Sequence, residues 1–471
     1  MPRQVHVRAL RGWHDPERVF LALAADAPTA VWLDGGVDAV AGRSVIAVAH
    51  DTSRIVTADT GADPDAVLDE LRGVLAAERV VGAGPSSAHE RMSLGWLGWF
   101  GYEFGARRLG VPVAATETPD AAWLFADRAV VFDHGRRRVR LEWLGSDDAD
   151  AWAADTAQVI GRLSRAAPDG ASVDATDRGA ARGASARPEP AVPTWRHDAA
   201  AYADMIRACQ AAIARGDAYQ LCLTNRVELD VHPDPLATYR RLRRTSPSHH
   251  GGFLRFGDVS LLSASPEQFL LVQPDGRVST RPMKGTRPRG RTPALDEALR
   301  QELERSDKER AENLMIVDLM RNDLSRIAVL GSVHVPDLLV TETYQHVHQL
   351  VSTVAAHLRE PFSAVDAVAA AFPAGSMTGA PKVSAMRILH DLERGPRGVY
   401  SGVFGSLAVD GGADLAMVIR SIVLTPLGAS VGTGGGITAL SQVDEEIEET
   451  RIKARAALAV LDDDGDPAPI A

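Results

Sequence analysis

The chain has only two cysteines in 471 residues, Cys209 and Cys222, so it carries neither a disulfide framework nor a cysteine-rich zinc site. Positive charge is in deficit: 51 Lys and Arg stand against 62 Asp and Glu, a formal net charge of -11. General nucleic-acid binders and proteins of anionic membrane surfaces carry a basic footprint that is missing here, so neither is predicted as a partner, and an anionic ligand has to meet cations placed locally. No run approaches the roughly eighteen uninterrupted apolar residues of a membrane-spanning helix. The opening stretch MPRQVHVRALRGWHDPERVF has no apolar core behind its charges and does not read as a secretory signal. A soluble cytoplasmic protein is the expectation. Solenoids and propellers are excluded by the lack of a repeat of about 20–50 residues. There is no Gly-x-Ser-x-Gly nucleophile motif, and no Gly-Lys-Ser/Thr follows the glycine run, which rules out a Walker A loop.

What is present divides the chain. Residues 1–164 read as mixed short strands and helices, with VWLDGG, SVIAVAH and RVVGAG as strands and a hairpin turning at His134-Gly135. In MSLGWLGWFGYEFG (92–105), aromatics alternate with glycines, which predicts close backbone approach inside a sheet. Residues 165–195, rich in Ala, Gly, Pro and Arg, predict a flexible linker or insert. Residues 196–461 hold the dense patterning expected of the catalytic domain, and 462–471 form a tail expected to be disordered.

Two predicted helices each carry a pair of glutamates. Ser306 and Glu309 form a capping box opening SDKERAENLMIVDLMRNDL, with Leu314, Met315, Val317 and Met320 as apolar surface and Glu309 and Glu312 on one side. In DEEIEETRIKARAAL, Glu446, Glu449 and Lys453 share a face, and Ile447 and Ala454 fall on another. Four carboxylates from two helices invite a hard divalent cation such as Mg²⁺; two unrelated solvated acidic faces are the alternative. The glycines Gly432, Gly434, Gly435 and Gly436 just before the second helix read as an anion nest or a plain tight turn. In RPMKGTRPRG (281–290), Lys284 sits on a turn stiffened by prolines; it is a nucleophile if burial or Arg281, Arg287 and Arg289 lower its pKa, and part of a basic surface loop otherwise. Glu267 lies in SASPEQFL at the mouth of an apolar strand pair, where a carboxyl can keep its proton and act as a general acid. His346 and His348 share a strand face without a third ligand pattern, and YRRLRR (239–244) reads as a solvated helix face.

Taken together, SPEQF, KGTRPRG, DKERAENLMIVDLMRNDLSRI, HQLVSTV, FPAGSMTGAPKVSAM, RGVYSG, IRS and GGGI followed by Glu-x-x-Glu-Thr-x-x-Lys resemble the chorismate-utilising enzymes over about residues 195–460, and GWLGWFGYEFG resembles them more loosely. The family includes the synthase components that form anthranilate and aminodeoxychorismate, and the isochorismate and salicylate synthases. The resemblance implies an α+β fold, a sandwich of two antiparallel sheets flanked by helices, with the N-terminal part woven into the same globule. It implies Mg²⁺ as cofactor, with Glu312 and Glu449 as direct ligands and Glu309 and Glu446 acting through water. Gly285, Thr286, Tyr400, Arg420, Gly434, Gly435, Gly436 and Lys453 match positions holding the two carboxylates of chorismate. Glu267 matches the acid that protonates the departing C4 hydroxyl, and His348 a histidine near the ring.

Two positions choose within the family. Gln220, in YQLCLTNR, stands where isochorismate and salicylate synthases place a water-activating lysine. Lys284 stands where anthranilate synthases carry alanine, and the lysine form resembles the aminodeoxychorismate branch, whose product leads to 4-aminobenzoate and folate. Leu33-Asp34-Gly35 replaces the Leu-Glu-Ser element of tryptophan feedback. The implied reaction joins ammonia to chorismate, and because the chain has no Cys-His-Glu apparatus the expected partner is a separate glutamine amidotransferase subunit, component II. The alternatives are an anthranilate synthase component I and a non-catalytic chorismate-binding regulatory subunit.

Overall fold

A computed structural model describes residues 3–78, 92–165, 192–344 and 347–462. The predicted strand RVVGAG, residues 166–191 of the predicted linker, His346 and nearly all of the predicted tail lie outside the described residues. Strands of alternating pattern build two sheets, and every pairing in them is antiparallel. The larger, of twelve strands, runs from Val5–Ala9 through Thr29–Asp34, His250–Phe256, Val259–Ser265, Ser421–Thr425 and Gly428–Ile437 to Gln220–Leu229 and Gly379–Ala380. The smaller, of ten, runs from Met283–Pro288 and Val347–His357 through Gln268–Val272, Ala413–Met417 and Val403–Ala408 to Gly95–Phe100, Ala121–Ala126 and Ile55–Ala58. Both therefore interleave strands from before residue 165 with strands from after residue 196.

Period-two alternation decides the layers. Val31, Val45, Val131, Leu254 and Leu261 of the larger sheet join Trp96, Leu97, Trp99, Phe100 and Leu415 of the smaller in the core between them. Their neighbours Trp32, Ile46, Phe132, Phe253 and Leu262 face the other way, into a second core. Helices Pro16–Ala24, Pro235–Thr245 and Val443–Asp462 supply that core's other side with Phe20, Tyr239, Leu242, Ala454 and Ala457. The hairpin at His134-Gly135 forms between Arg128–Asp133 and Arg138–Leu144.

The glycine–aromatic segment occupies the middle of the smaller sheet as Gly95–Phe100, between Val403–Ala408 and Ala121–Ala126. A side chain at Gly98 would overlap the backbone of the adjacent strand at Ala122-Trp123, so the tight approach requires glycine. Two other segments differ from expectation. The lysine segment is a strand, Met283–Pro288, paired with Val347–His357, and not a turn; its register slips between Lys284 and Thr286. The glycine run is likewise the strand Gly428–Ile437, not a tight turn. It pairs with Gln220–Leu229 along its length but with Ser421–Thr425 only over Gly428–Ser430, so beyond Ser430 one edge of its backbone has no sheet partner among the described residues.

Candidate active site

The site is assembled where the glycine strand meets the two acidic helices. Helix Asp307–Ser325 starts at Ser306, whose hydroxyl accepts from the Glu309 amide. Its buried stripe is Glu312, Asn313, Ile316, Val317, Met320, Asp323 and Leu324, so Glu312 lies on the packing face, while Leu314, read as part of the apolar surface, is exposed. In helix Val443–Asp462 the buried stripe is Glu446, Thr450, Ala454, Ala457 and Val460. Ala454 thus shares a face with Glu446 rather than opposing it. Both helices bury a glutamate where packing alone would place an apolar residue, and a buried carboxylate costs several kcal/mol unless compensated.

The glycines leave room for these carboxylates. A β-carbon at Gly435 would stand 3.0 Å from Glu446 Oε2 and 3.7 Å from Glu449 Oε1; one at Gly436 would stand 3.0 Å from Glu312 Oε2 and overlap the Gln220 amide. Gly285, at φ +77, does the same beneath Glu309, with a β-carbon 2.9 Å from its Cδ. Three lysines face the acidic group: Lys308 Nζ donates to Glu446 at 2.8 Å, Lys453 Nζ lies 2.6 Å from Glu449 and donates to the Gly434 carbonyl at 2.8 Å, and Lys284 Nζ is 3.7 Å from Glu312. The Gln220 amide donates to Glu312 at 3.4 Å, and its own Oε1 is buried with no hydrogen-bond partner among the described residues. As the side chains stand, no group of three or more His, Cys, Asp or Glu among the described residues is drawn together tightly enough to hold a metal. The donor set nevertheless suits Mg²⁺: it is all carboxylate oxygen, it converges beside Gly435 and Gly436, and Lys308, Lys453 and Lys284 now balance its charge.

Lys284 and Glu267 are coupled within the pocket. Glu267 is buried and accepts a hydrogen bond from Ser376; burial pushes its pKa up to about 7, with the Ser376 bond and the cations Lys284 and Lys453 opposing the rise. Burial likewise raises Glu312 to about 7, against the attraction of Lys284. Lys284 itself departs from the sequence expectation. Burial pulls its pKa down, but Glu312, Cys222, Glu267 and Glu449 outweigh burial and the net shift is upward. The arginines expected to depress it point elsewhere: Arg281 pairs with Glu342, Arg287 with Glu302 and Glu309, and Arg289 with Asp296.

Arg420 sits at φ +53 with its carbonyl accepting from the Ala264 amide, but its guanidinium makes no hydrogen bond or ion pair with any described residue; desolvation lowers its pKa, with Tyr400 and Glu449 acting the other way. A half-buried guanidinium that no carboxylate of the described residues meets is suited to receive an anion. Tyr400 is buried with its ring where a Gly432 side chain would be. Thr286 is exposed. His348 is buried, but both ring nitrogens are taken: Nδ1 lies 2.9 Å from Thr343 Oγ1 and Nε2 2.9 Å from Asp296 Oδ1, which ties it to helix Pro293–Arg305. Sequence reasoning missed Ser376 and Lys308; the FPAGSM and DKER motifs that carry them were visible, but only the fold reveals what they touch.

YRRLRR is not simply solvated. Arg243 is buried, bonding Asp34 through Nε at 2.7 Å and Glu17 through Nη1 at 2.8 Å, while Tyr239 donates to Asp34 at 3.0 Å. Asp34, in the Leu33-Asp34-Gly35 element, is therefore occupied by the protein's own residues.

Comparison with known proteins agrees with this architecture. A chorismate binding enzyme family profile matches residues 29–459, and the chain belongs to that family. It is 39% identical over 97% of its length to an aminodeoxychorismate synthase of Streptomyces pristinaespiralis and 48% identical over 79% to one of Streptomyces griseus, spanning 65% and 50% of those proteins. It is also 38% identical over 85% of its length to anthranilate synthase component 1 of Streptomyces coelicolor, of which it spans 78%. Among solved structures, anthranilate synthase component I from Streptococcus pneumoniae superposes with a TM-score of 0.68 at 27% identity, covering 97% of this chain and 93% of that one. The menaquinone-specific isochorismate synthase of Escherichia coli shares the fold, with a TM-score of 0.69 at 16% identity over 98% of this chain and 95% of its own.

Proposed function

We propose that this chain is the synthase component that aminates chorismate at C4, an aminodeoxychorismate synthase component I acting in the cytoplasm. The observation that carries the reading is Lys284: a partly buried amine on a strand, facing Glu312 and the field of the protonatable Glu267, and placed beside a pocket with an unpaired Arg420 guanidinium. The names of the two Streptomyces relatives support it.

Glu312 and Glu449 would hold Mg²⁺ directly, with Glu309 and Glu446 supporting it through water. When bound, the ion fixes the ring carboxylate and withdraws electron density from the diene. Arg420, Tyr400 and the open edge of Gly434, Gly435 and Gly436 receive the substrate carboxylates, with Gly285, Thr286 and Lys453 at the margin. Lys284, held as an ammonium by Glu312, Glu267 and Glu449, first passes its proton to Glu267; Glu267 then delivers that proton to the C4 hydroxyl, which leaves as water while the neutral Lys284 amine so formed makes a bond to C2 and both ring double bonds shift. Ammonia then bonds to C4, the double bonds shift back, and the C2–lysine bond breaks; the proton shed by the new ammonium restores Glu267. The enolpyruvyl group stays on the ring, so the product is 4-amino-4-deoxychorismate, and 4-aminobenzoate requires a separate lyase. A glutamine amidotransferase partner supplies the ammonia. Purified chain using glutamine as efficiently as ammonium would remove the need for that partner.

Gln220 supports amination over hydration: a neutral amide bonded to Glu312 cannot take a proton from water. The relationship to anthranilate synthase component 1 sustains one second reading, C2 amination with loss of pyruvate. Mass spectrometry of the product from chorismate, Mg²⁺ and ammonium separates the two.

A further inference from the structure

Three segments that build the proposed pocket, from distant parts of the chain, meet at one buried arginine, and a glutamate from the N-terminal part clamps its backbone. Arg397, Glu393 and Glu103 are 4%, 3% and 3% exposed. The Arg397 guanidinium donates Nε to Glu393 Oε2 at 2.8 Å and Nη2 to Glu393 Oε1 at 2.7 Å, and lies 4.2 Å over the Tyr102 ring. Its remaining donors end on main chain: Nη1 on the Met377 carbonyl at 2.6 Å and Nη2 on the Cys222 carbonyl at 2.9 Å. Met377 follows Ser376, the hydrogen-bond partner of Glu267, and Cys222 lies two residues beyond Gln220. Glu393 Oε1 also accepts from the Thr224 amide at 2.9 Å, a second tie to the Gln220 strand.

Glu103 completes the arrangement from the GWFGYEFG segment. Its Oε1 accepts from the Arg397 amide at 2.7 Å and its Oε2 from the Gly398 amide at 2.9 Å, and the Gly398 carbonyl accepts in return from the Tyr102 amide at 2.9 Å. The turn so held has Gly398 at φ +67 and Ser401 at φ +65, and between them presents Tyr400 against Gly432. Two charge-assisted bonds from one carboxylate to consecutive amides fix a turn more firmly than packing alone, because loosening it would leave a buried carboxylate unsatisfied.

We propose that Glu103 is a positioning residue for the substrate pocket, acting through the Arg397-Gly398 backbone to set the place of Tyr400. This rests on the reading of Tyr400 as a ligand of a substrate carboxylate. It assigns the N-terminal part of the chain a direct share in the geometry of the pocket, although none of its own side chains lines the site described above.

The test compares Glu103→Gln, Tyr400→Phe and the double variant, using chorismate with Mg²⁺ and ammonium. Glu103→Gln keeps one acceptor and turns the other into a donor facing an amide, so KM for chorismate should rise roughly tenfold, the worth of one charge-assisted bond, with kcat changed much less. In the Tyr400→Phe background the same substitution should add little. Hydrogen exchange of the amides of residues 397–402, measured without substrate, should quicken in Glu103→Gln. An unchanged KM, or a KM effect that multiplies undiminished on Tyr400→Phe, overturns the proposal. Should Glu103→Gln fail to fold, Gly398→Ala, which strains the same turn and leaves Glu103 in place, carries the test with the same two outcomes. Faster exchange in a chain whose wild type does not turn over chorismate would refute the functional reading while upholding the clamp; unchanged exchange refutes the clamp alone.

Discussion

Two buried clusters of charge in this molecule are made of similar residues and differ in how they are finished. In the N-terminal cluster, Asp34 meets Arg243 and Tyr239, and Arg243 goes on to Glu17 and lies 4.7 Å over the Trp32 ring. The charges are matched within the protein, and Arg243 is held more firmly protonated than usual because Asp34 and Glu17 outweigh its desolvation. In the pocket, Glu267 and Glu312 are pushed up to about 7 by burial, and among the described residues no carboxylate pairs with the Arg420 guanidinium and no donor reaches Gln220 Oε1. A cluster that closes on itself serves the fold; one left open at several atoms is completed by what binds there.

Substitutions should separate the two clusters by which quantity they change. The largest effect is expected from Lys284→Ala, which removes the proposed nucleophile and should lower 4-amino-4-deoxychorismate formation by about a thousandfold or more while leaving the melting temperature nearly unchanged. Next is Arg243→Ala: it strands Asp34 in the core and should destabilise the fold by roughly 3–5 kcal/mol in urea titration, with KM for chorismate unaltered in the protein that remains folded. Arg420→Ala should raise KM by about ten- to a hundredfold at nearly constant stability, as expected for loss of a charged anchor to a carboxylate. A large loss of stability in Arg420→Ala would erase the distinction between the clusters.

The smallest effect concerns pH. The folded pKa of Glu267, about 7, lies above its ordinary 4.5, so between these values the folded chain holds a proton that the unfolded chain has lost. Stability therefore falls as pH rises through that window, and the whole penalty is present above it. Glu267→Gln should be more stable than wild type at pH 8 by the order of 1–3 kcal/mol, with the gain vanishing below about pH 4, while its activity is lost. Activity of the wild type should decline on the alkaline side as the acid form of Glu267 is depleted.

Much of this could be read before any coordinates. Period-two alternation and the glycine–aromatic run anticipated the sheets, and the Glu-x-x-Glu spacings anticipated two carboxylates per helix. Legibility ended where tertiary contact decides. The glycine run looks like a turn locally, but its pairing with Gln220–Leu229, about two hundred residues earlier in the chain, makes it a strand. Lys284 is flanked in sequence by three arginines, yet the charges that set its protonation come from Glu312, Glu267 and Glu449 on other elements. Local sequence likewise could not show that Arg243 would be drawn inward to Asp34, 209 residues away.

The most direct test of the central claim is the identity of the product when the purified chain is incubated with chorismate, Mg²⁺ and an ammonium salt. Formation of 4-amino-4-deoxychorismate, with the enolpyruvyl group intact and no pyruvate released, is the predicted result. Anthranilate accompanied by stoichiometric pyruvate would contradict it.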